Sequence, residues 1–336
     1  MSKTIVALDC MGGDYAPLEI VKGAVEAVQE SDQVFVKLVG KQELIEEELK
    51  KYSGYNKDAL EIVNATQVIE MGESPVAAIR EKTDSSLVKC QYMVKHGEAD
   101  AMVSAGSTGA NLVGGHVIIG RIRGVERPPL APLIPTEQGV TLLIDCGANV
   151  DARPSHLVQF AKMGSVYMEE VVGIKNPKVG LVNIGTEEEK GNALTKEAFQ
   201  LLKETDGINF VGNVEARDIP AGVADVVVCD AFVGNVILKT YEGVGSTMLK
   251  KVKSGLMANL KTKIGALLIK NSLKKTLKGF SIEEYGGAPL LGLRGLLVKT
   301  HGNSKSVEVK NSILQCITFK EADVNEKFKE KLNLKK

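Results

Sequence analysis

A chain of 336 residues, 44% hydrophobic and 25% charged, has the makeup of a packed globular protein with one large α/β domain or two modest ones. Lys plus Arg equals Asp plus Glu at 42 each, and Trp is absent, which argues against a nucleic-acid surface and against any global pull toward anionic lipid. No basic segment with a long apolar run opens the chain and no run of about 18 apolar residues occurs, so the expectation is a soluble or peripheral protein without signal peptide or spanning helix.

The predicted elements alternate along the chain. Residues 4–8 form a short apolar run, followed by an amphipathic segment at 18–29, a run at 34–39, a helix at 43–51 and a run at 60–63. A helix at 85–95, a run at 101–103 and a helix at 110–120 come next. Residues 124–139, with Pro128, Pro129, Pro132 and Pro135, then read as an extended connection. Runs at 140–144, 179–184, 209–211 and 226–229 follow, with helices at 154–171 and 193–203 between them. Val/Ile/Leu runs of this length fit strands covered on both faces, and the alternation predicts a doubly wound α/β sandwich on a mainly parallel sheet.

Residues 243–282 break the rhythm, because they contain no Asp or Glu. Nine lysines between Lys250 and Lys278 accompany Leu256, Leu260, Ile264, Leu267 and Leu268. Apolar positions three or four apart make this a basic amphipathic helical excursion. One reading packs it on the core or at a subunit interface. The other makes it a hairpin, turning near Gly265 or Asn271, whose apolar tip enters a lipid interface. With no internal repeat and no linker, residues 1–336 are read as a single unit.

Ligands of an open parallel sheet bind beyond the carboxyl ends of its strands, and the turns there are polar and glycine-rich. They include Asp9-Cys-Met-Gly-Gly-Asp14, Ser104-Ala-Gly-Ser-Thr-Gly109, Asp145-Cys-Gly-Ala-Asn149, Gly185-Thr-Glu-Glu-Glu-Lys-Gly-Asn192 and Asp230-Ala-Phe-Val-Gly-Asn235. The turn with Ser104, Gly106, Ser107, Thr108 and Gly109 precedes a helix, where amides and hydroxyls suit a phosphate. It matches neither G-x-G-x-x-G nor a Walker loop, so nucleotide binding is not indicated. Lys190 lies in a charge run that either coats a solvated helix start or points into the cleft to neutralise phosphate or an oxyanion. Asp9, Asp145, Asp230 and Asn235 have two readings each, catalytic group or helix cap. Five scattered cysteines without C-x-x-C spacing and four unpaired histidines speak for buried reduced thiols and against a metal site. His301, in His301-Gly-Asn-Ser304, is the one histidine in a turn of active-site character.

Together these turns resemble the acyl carrier protein-dependent phosphate acyltransferases of bacterial phospholipid synthesis. Arg80-Glu-Lys-Thr-Asp-Ser-Ser86, Phe210-Val-Gly-Asn-Val-Glu215 and Tyr285-Gly-Gly-Ala-Pro-Leu-Leu-Gly292 extend the likeness from near the start to about residue 316. Cys146 and Ala231 depart from the family's usual small residues. The resemblance implies an αβα sandwich like that of the isocitrate and isopropylmalate dehydrogenases, a homodimer, and neither metal nor other cofactor. It implies transfer of a fatty acyl group from acyl carrier protein to inorganic phosphate. The acyl phosphate product would feed a membrane acyltransferase that acylates glycerol 3-phosphate, which suits a cytoplasmic enzyme held reversibly at an anionic membrane by Leu256, Leu260, Ile264 and Leu267. Lys190, Asn235 and Asp230 are then the expected catalytic group. Asp9, Gly12, Gly13, the turn from Ser104 through Gly109, Asp145, Asn149, Asn192 and His301 line the phosphate and substrate. Rival readings are a coenzyme A-dependent phosphate acetyl- or butyryltransferase, a dehydrogenase on the same sheet architecture, and a noncatalytic scaffold docking at membranes.

Overall fold

The apolar runs of the sequence become strands because their Val, Ile and Leu side chains can be covered on both faces. The structure is a computed structural model that describes residues 3–278 and 285–333, without the side chains of 274–278. The end of the predicted excursion, 279–282, lies outside the described residues. Strands β1 (Thr4–Asp9), β2 (Val34–Gly40), β3 (Leu60–Asn64), β4 (Ala101–Ser104), β5 (Leu133–Thr136) and β6 (Gly139–Ile144) form the first part of the chain. They are followed by β7 (Lys178–Asn183), β8 (Asn209–Glu215), β9 (Val226–Val228), β10 (Ala288–Pro289) and β11 (Leu296–Lys299). The early helices are α1 (Leu18–Glu30), α2 (Gln42–Leu49), α3 (Pro75–Glu81), α4 (Ser86–His96), α5 (Thr108–Gly114) and α6 (Pro154–Tyr167). The later ones are α7 (Ala193–Lys203), α8 (Ala231–Leu256), α9 (Leu260–Lys278), α10 (Ser306–Glu321) and α11 (Val324–Lys331).

The expected α/β sandwich is present, with its mainly parallel strands divided between two sheets. One has the order β10-β11-β4-β1-β2-β3 and the other β5-β6-β9-β7-β8. Only the edge strands β10 and β5 pair antiparallel. Helices cover both sheets through apolar faces such as Ile20, Val21, Ala24 and Val28 of α1, which packs against α10. All five cysteines are buried and free, as the scattered spacing predicts.

The Pro-rich connection is extended, and part of it is β5, paired to β6. It also ties the two sheets, because Leu130 bridges Leu290, and just ahead of it Arg121 bridges Leu293. The helix predicted at 110–120 is α5 prolonged by one π-helical turn, Gly115–Ile119, and α6 ends likewise in Met168–Val172.

Helix α8 starts at Ala231, so Asn235 sits inside its second turn rather than at its start. Of its 26 residues only Ala231 and Gly234 are buried, and the helix leaves the body of the protein. Helix α9 follows it after a short turn and touches it. The hairpin turns at residues 257–259, not near Gly265 or Asn271, which lie within α9. Asn259 decides this, since its Oδ1 accepts the Thr262 N–H at 3.0 Å and so starts the new helix. Val244, Met248, Val252, Leu260, Ile264, Leu267 and Leu268 are exposed along the pair, Leu268 at 81%. No helix among the described residues is long and apolar enough to cross a membrane.

The root of α8 tolerates no side chain at Gly234, where a Cβ would overlap the Asp145 carbonyl oxygen. Gly243, further along the same helix, faces open space. Gly234→Ala should therefore lower unfolding free energy by about 1–3 kcal/mol through overpacking. Gly243→Ala should raise it by up to about 1 kcal/mol through helix propensity. Denaturant titration of both variants checks the contrast.

Candidate active site

The carboxyl ends of the first sheet converge on a buried carboxylate. Asp9, which closes β1, accepts the Ser86 hydroxyl at 2.6 Å and the Met11 N–H at 3.3 Å on Oδ1. Its Oδ2 accepts the Ser104 hydroxyl at 2.7 Å. Burial raises the Asp9 pKa, and the Ser86, Ser104 and Met11 donors and the Lys299 charge pull it back. Ser104 in turn accepts from the Gly106 N–H at 3.0 Å and the Asn111 amide at 3.2 Å. The Gly12 and Gly106 backbones touch here, for a Cβ on Gly12 would stand 2.5 Å from Asp9 Oδ2 and 2.6 Å from the Gly106 nitrogen. Gly13, at φ +98°, brings the turn against Gly302, whose carbonyl accepts the Asp14 N–H at 2.7 Å.

The next turn is left with open donors. Ser107 caps α5 by accepting the Ala110 N–H at 3.4 Å. The N–H groups of Ser107, Thr108 and Gly109 make no hydrogen bond to any described residue. Thr108 is exposed beside them.

The second sheet repeats the device. Asp145, just beyond β6, is fully buried and accepts Leu130 N–H at 2.9 Å, Ala148 N–H at 3.2 Å, Asn149 N–H at 2.8 Å and Asn149 Nδ2 at 2.7 Å. Burial lifts its pKa to about 6 despite these donors. The next strand end carries Asp230, the N-cap of α8, whose Oδ1 accepts Phe232 and Val233 N–H at 2.9 and 3.0 Å. Since Ala231 N–H bonds Asn149 O at 3.1 Å, the first amides of α8 are satisfied. The Asn235 side chain is exposed and unpaired among the described residues.

Beyond β7, Asn213 and Asn183 pin the loop that carries Lys190. Asn183 Nδ2 donates to the Lys190 carbonyl at 3.1 Å, and Asn213 Nδ2 to the Glu187 carbonyl at 2.8 Å. Asn192 caps α7 by accepting the Thr195 N–H at 2.9 Å. Lys190 is exposed and has no carboxylate partner among the described residues, while neighbouring Glu188 is paired with Lys203 at 2.8 Å. Parallel pairing of β7 and β9 sets this loop beside the root of α8.

Helix α8 links the two rows of turns. Lys239 Nζ stands 2.9 Å from His301 Nε2 and 2.8 Å from Glu242 Oε2. Between the rows lies a cavity of about 230 Å³. Its apolar lining includes Leu112, Val113, Val117 and Leu290, and its polar lining is His116, Arg127 and Asn149.

A sequence model of the fatty acid synthesis protein family matches residues 4–327. A phosphate acyltransferase of Clostridium novyi is 51% identical over 330 residues, covering 98% of this chain and 99% of that protein. One from Clostridium acetobutylicum is 48% identical over 328 residues, with 98% of each chain covered. The chain belongs to the phosphate acyltransferase family. Among solved structures, the acyltransferase fold resembles a phosphotransacetylase from Streptococcus pyogenes at TM-score 0.60 and 18% identity, covering 95% and 94% of the two chains. It also resembles 4-hydroxythreonine-4-phosphate dehydrogenase from Klebsiella pneumoniae at TM-score 0.50 and 14% identity, covering 94% and 100%.

The predicted site residues of this acyltransferase thus fall into two groups, one on each sheet. Asp9, Gly12, Gly13, Ser104, Gly106 and His301 join in the first, with Ser107, Thr108 and Gly109 at its open side. Asp145, Asn149, Asp230 and Asn235 join in the second, with Lys190 and Asn192 on the adjacent loop. Leu256, Leu260, Ile264 and Leu267 are remote, on the hairpin.

Lys299, at the end of β11, escaped the sequence reading. It is 7% exposed, and its ammonium donates to the carbonyls of Thr300 and, at 3.4 Å, Ala105. A lysine closing an apolar strand, just before His301, was the available signal. Burial lowers its pKa to about 8; Glu308 and Asp9 oppose the fall, Lys239 adds to it and Asp14 opposes it. Between pH 8 and its ordinary 10.5, the native state therefore holds fewer protons on Lys299 than the unfolded chain does, and stability rises with pH. Relative to Lys299→Met, the wild type should gain about 1 kcal/mol per pH unit in that window. Denaturant titrations on both sides of pH 9, about one unit apart, measure the difference.

Proposed function

We propose that this enzyme transfers a fatty acyl group from acyl carrier protein thioester to inorganic phosphate, giving acyl phosphate for phospholipid synthesis. The observation that supports it most is the strand-end turn in which the Ser107, Thr108 and Gly109 amides are left without partners. Three such donors beside a helix start suit a phosphate dianion. Lys190, unpaired on the neighbouring sheet's loop, supplies the counter-charge. Asn235 donates to the tetrahedral oxyanion, and Asp230 fixes Asn235 in place by capping α8. Asp9, Gly12, Gly13 and Ser104 hold the cradle, with Asp145, Asn149, Asn192 and His301 shaping the opposite wall.

The chemistry then needs no side-chain nucleophile. An oxygen of hydrogen phosphate attacks the thioester carbonyl, a C–O bond forms, and the carbonyl electrons move to oxygen. Collapse of this oxyanion breaks the C–S bond. The proton carried in by hydrogen phosphate ends on the departing pantetheine thiolate, so charge and protons balance. Holding both reactants at attack distance can supply about 7–11 kcal/mol of barrier reduction. Both sheets act as one unit, because each donates half of the site.

With acyl carrier thioester and phosphate, mass spectrometry should detect acyl phosphate, and Lys190→Ala should lower kcat/KM about 10²–10³-fold with an intact fold. Asn235→Ala should lower kcat with little change in KM for phosphate. Turnover only with short coenzyme A thioesters would favour the phosphate acetyl- or butyryltransferase reading instead.

The hairpin suggests where the product goes. Exposed Val244, Met248 and Val252 along α8 suit pairing with a second copy, and thus a homodimer. Near the turn, half-buried Leu256 and exposed Leu260 and Ile264, then Leu267 further along α9, lie among exposed Lys250, Lys253, Lys261 and Lys263. This pattern suits reversible binding of a cytoplasmic enzyme to an anionic leaflet, where each lysine adds about 1 kcal/mol. An acyl phosphate released there is close to a membrane acyltransferase that uses it to acylate glycerol 3-phosphate. In flotation with anionic vesicles at low salt the wild type should rise with lipid, and Leu256→Glu and Leu267→Glu should not. Absence of binding by the parent protein would leave the hairpin to subunit contacts alone.

A further inference from the structure

The cavity beside Asn149 is lined by Arg127, one of several arginines in this region without a carboxylate partner among the described residues. Arg121, Arg123, Arg127, Arg153 and Arg294 are all exposed, and none forms an ion pair with a described residue. Arg121, Arg127, Arg153 and Arg294 are neighbours in space, and Arg123 follows Arg121 by two residues in the chain. Arg294 Nε donates to the Arg121 carbonyl at 3.1 Å, and Arg121 donates to the Glu126 carbonyl. Arg121 and Arg127 both act on His116, whose pKa falls through burial and then through these two charges. Arg127 and Arg153 likewise both act on His156. The nearby Glu126 carboxylate is already held by His156 Nε2 at 3.0 Å and Ser155 Oγ at 3.4 Å, leaving Asp151 as an exposed acid in this segment.

In a chain with no net charge, such a cluster is a local positive field over one opening. Arginine forks match carboxylates in pairs of parallel hydrogen bonds, which the lysines of the hairpin cannot do. The opening itself is narrow. At about 230 Å³ it falls below the range of roughly 300–1,000 Å³ for pockets that enclose a whole drug-sized ligand. Its lining combines apolar Leu112, Val113, Val117 and Leu290 with polar His116, Arg127 and Asn149, so it suits a slender chain carrying both methylenes and amides. Leu112 stands four residues along α5 from Thr108, about 6 Å from the open amides by helix rise.

We propose that this cavity receives the pantetheine arm of the acyl donor, and that the arginines around its mouth dock an acidic carrier protein. The inference rests on the proposed acyl transfer to phosphate and names the surface by which the donor arrives. Electrostatic docking of this kind raises association rate more than it changes chemistry, and it weakens with salt.

The test compares two donors with one acyl group, an acyl carrier thioester and the free acyl-pantetheine thioester, each with phosphate. Arg121→Glu, Arg294→Glu and the double variant should lower the ratio of kcat/KM for carrier over pantetheine donor, at least tenfold in the double variant. They should also flatten its salt dependence. Val117→Trp, which narrows the cavity from an exposed position, should lower kcat/KM with both donors. An unchanged donor ratio in folded charge-reversal variants would overturn the docking surface, and full activity of Val117→Trp would overturn the arm's route. Loss of vesicle binding by the charge reversals with carrier kinetics intact would assign the arginines to lipid headgroups and also overturn the proposal. A wild type inert toward the carrier thioester but active with coenzyme A thioesters would instead overturn the proposed donor.

Discussion

The buried carboxylate of Asp9 organises the first half of the site. A charge at 2% exposure is costly unless hydrogen bonds replace its water, and here two hydroxyls and one amide do so. Those donors come from β1's own turn, from α4 and from the end of β4, so satisfying one carboxylate fixes three segments. Ser104 is consumed in this task and hands its own lone pairs to Gly106 and Asn111. Consequently it is not available to a ligand. What remains open is the next stretch, where the Ser107, Thr108 and Gly109 amides have no hydrogen-bond partner among the described residues. Lys299 joins the arrangement from β11 by donating to the Ala105 carbonyl of the same turn.

Asp145 solves the same problem on the other sheet, with four N–H donors in place of hydroxyls. Two of its donors come from Asn149, whose carbonyl then accepts the first amide of α8. The Asp145 carbonyl in turn occupies the space that a Cβ of Gly234 would need. The placement of α8 is therefore a consequence of how a strand-end carboxylate is buried. In both sheets the strand-end aspartate is spent on donors of the protein itself, and the exposed Asn235 and Lys190 side chains are left without a partner among the described residues.

Much of this was legible in the sequence. Strand runs such as 34–39 and 179–184 were recognisable because parallel strands buried on both faces need uninterrupted apolar residues. Helix α7 was predicted at its observed bounds, since Asn192 and the spacing of Ala198, Phe199 and Leu202 mark start and face. The division into two sheets was not visible, because strand order depends on contacts between residues far apart in the chain. The turn of the hairpin was missed for a local reason. Gly265 and Asn271 are helix-breaking residues by propensity, yet the Asn259 cap, paired with Thr262, starts α9 before them. Lys299 went unnoticed because one lysine at the end of an apolar run looks like any strand terminus until its burial is known. For Asp230, which had two readings, the capping bonds are present in the structure, and Asn192 caps α7 as well.

Helix α8 carries the consequence furthest. Its cap lies among the site turns, its third turn clasps His301 through Lys239, and its end forms the hairpin tip. From Asn235 to Leu256 the helix rises about 32 Å. If the tip meets lipid as proposed, that length sets the height of the site above the surface, and a bound chain must leave the cleft before it can enter the membrane. A continuous helix transmits orientation as well as distance. Any tilt of the hairpin, in a lipid surface or against a second copy, acts at Lys239 and at the root beside Asp145. The Lys239–His301–Glu242 cluster is exposed and weak, whereas the contact of Gly234 with Asp145 is close-packed backbone. Motion of α8 would therefore open the clasp at His301 before it disturbed the packing of Gly234 against Asp145.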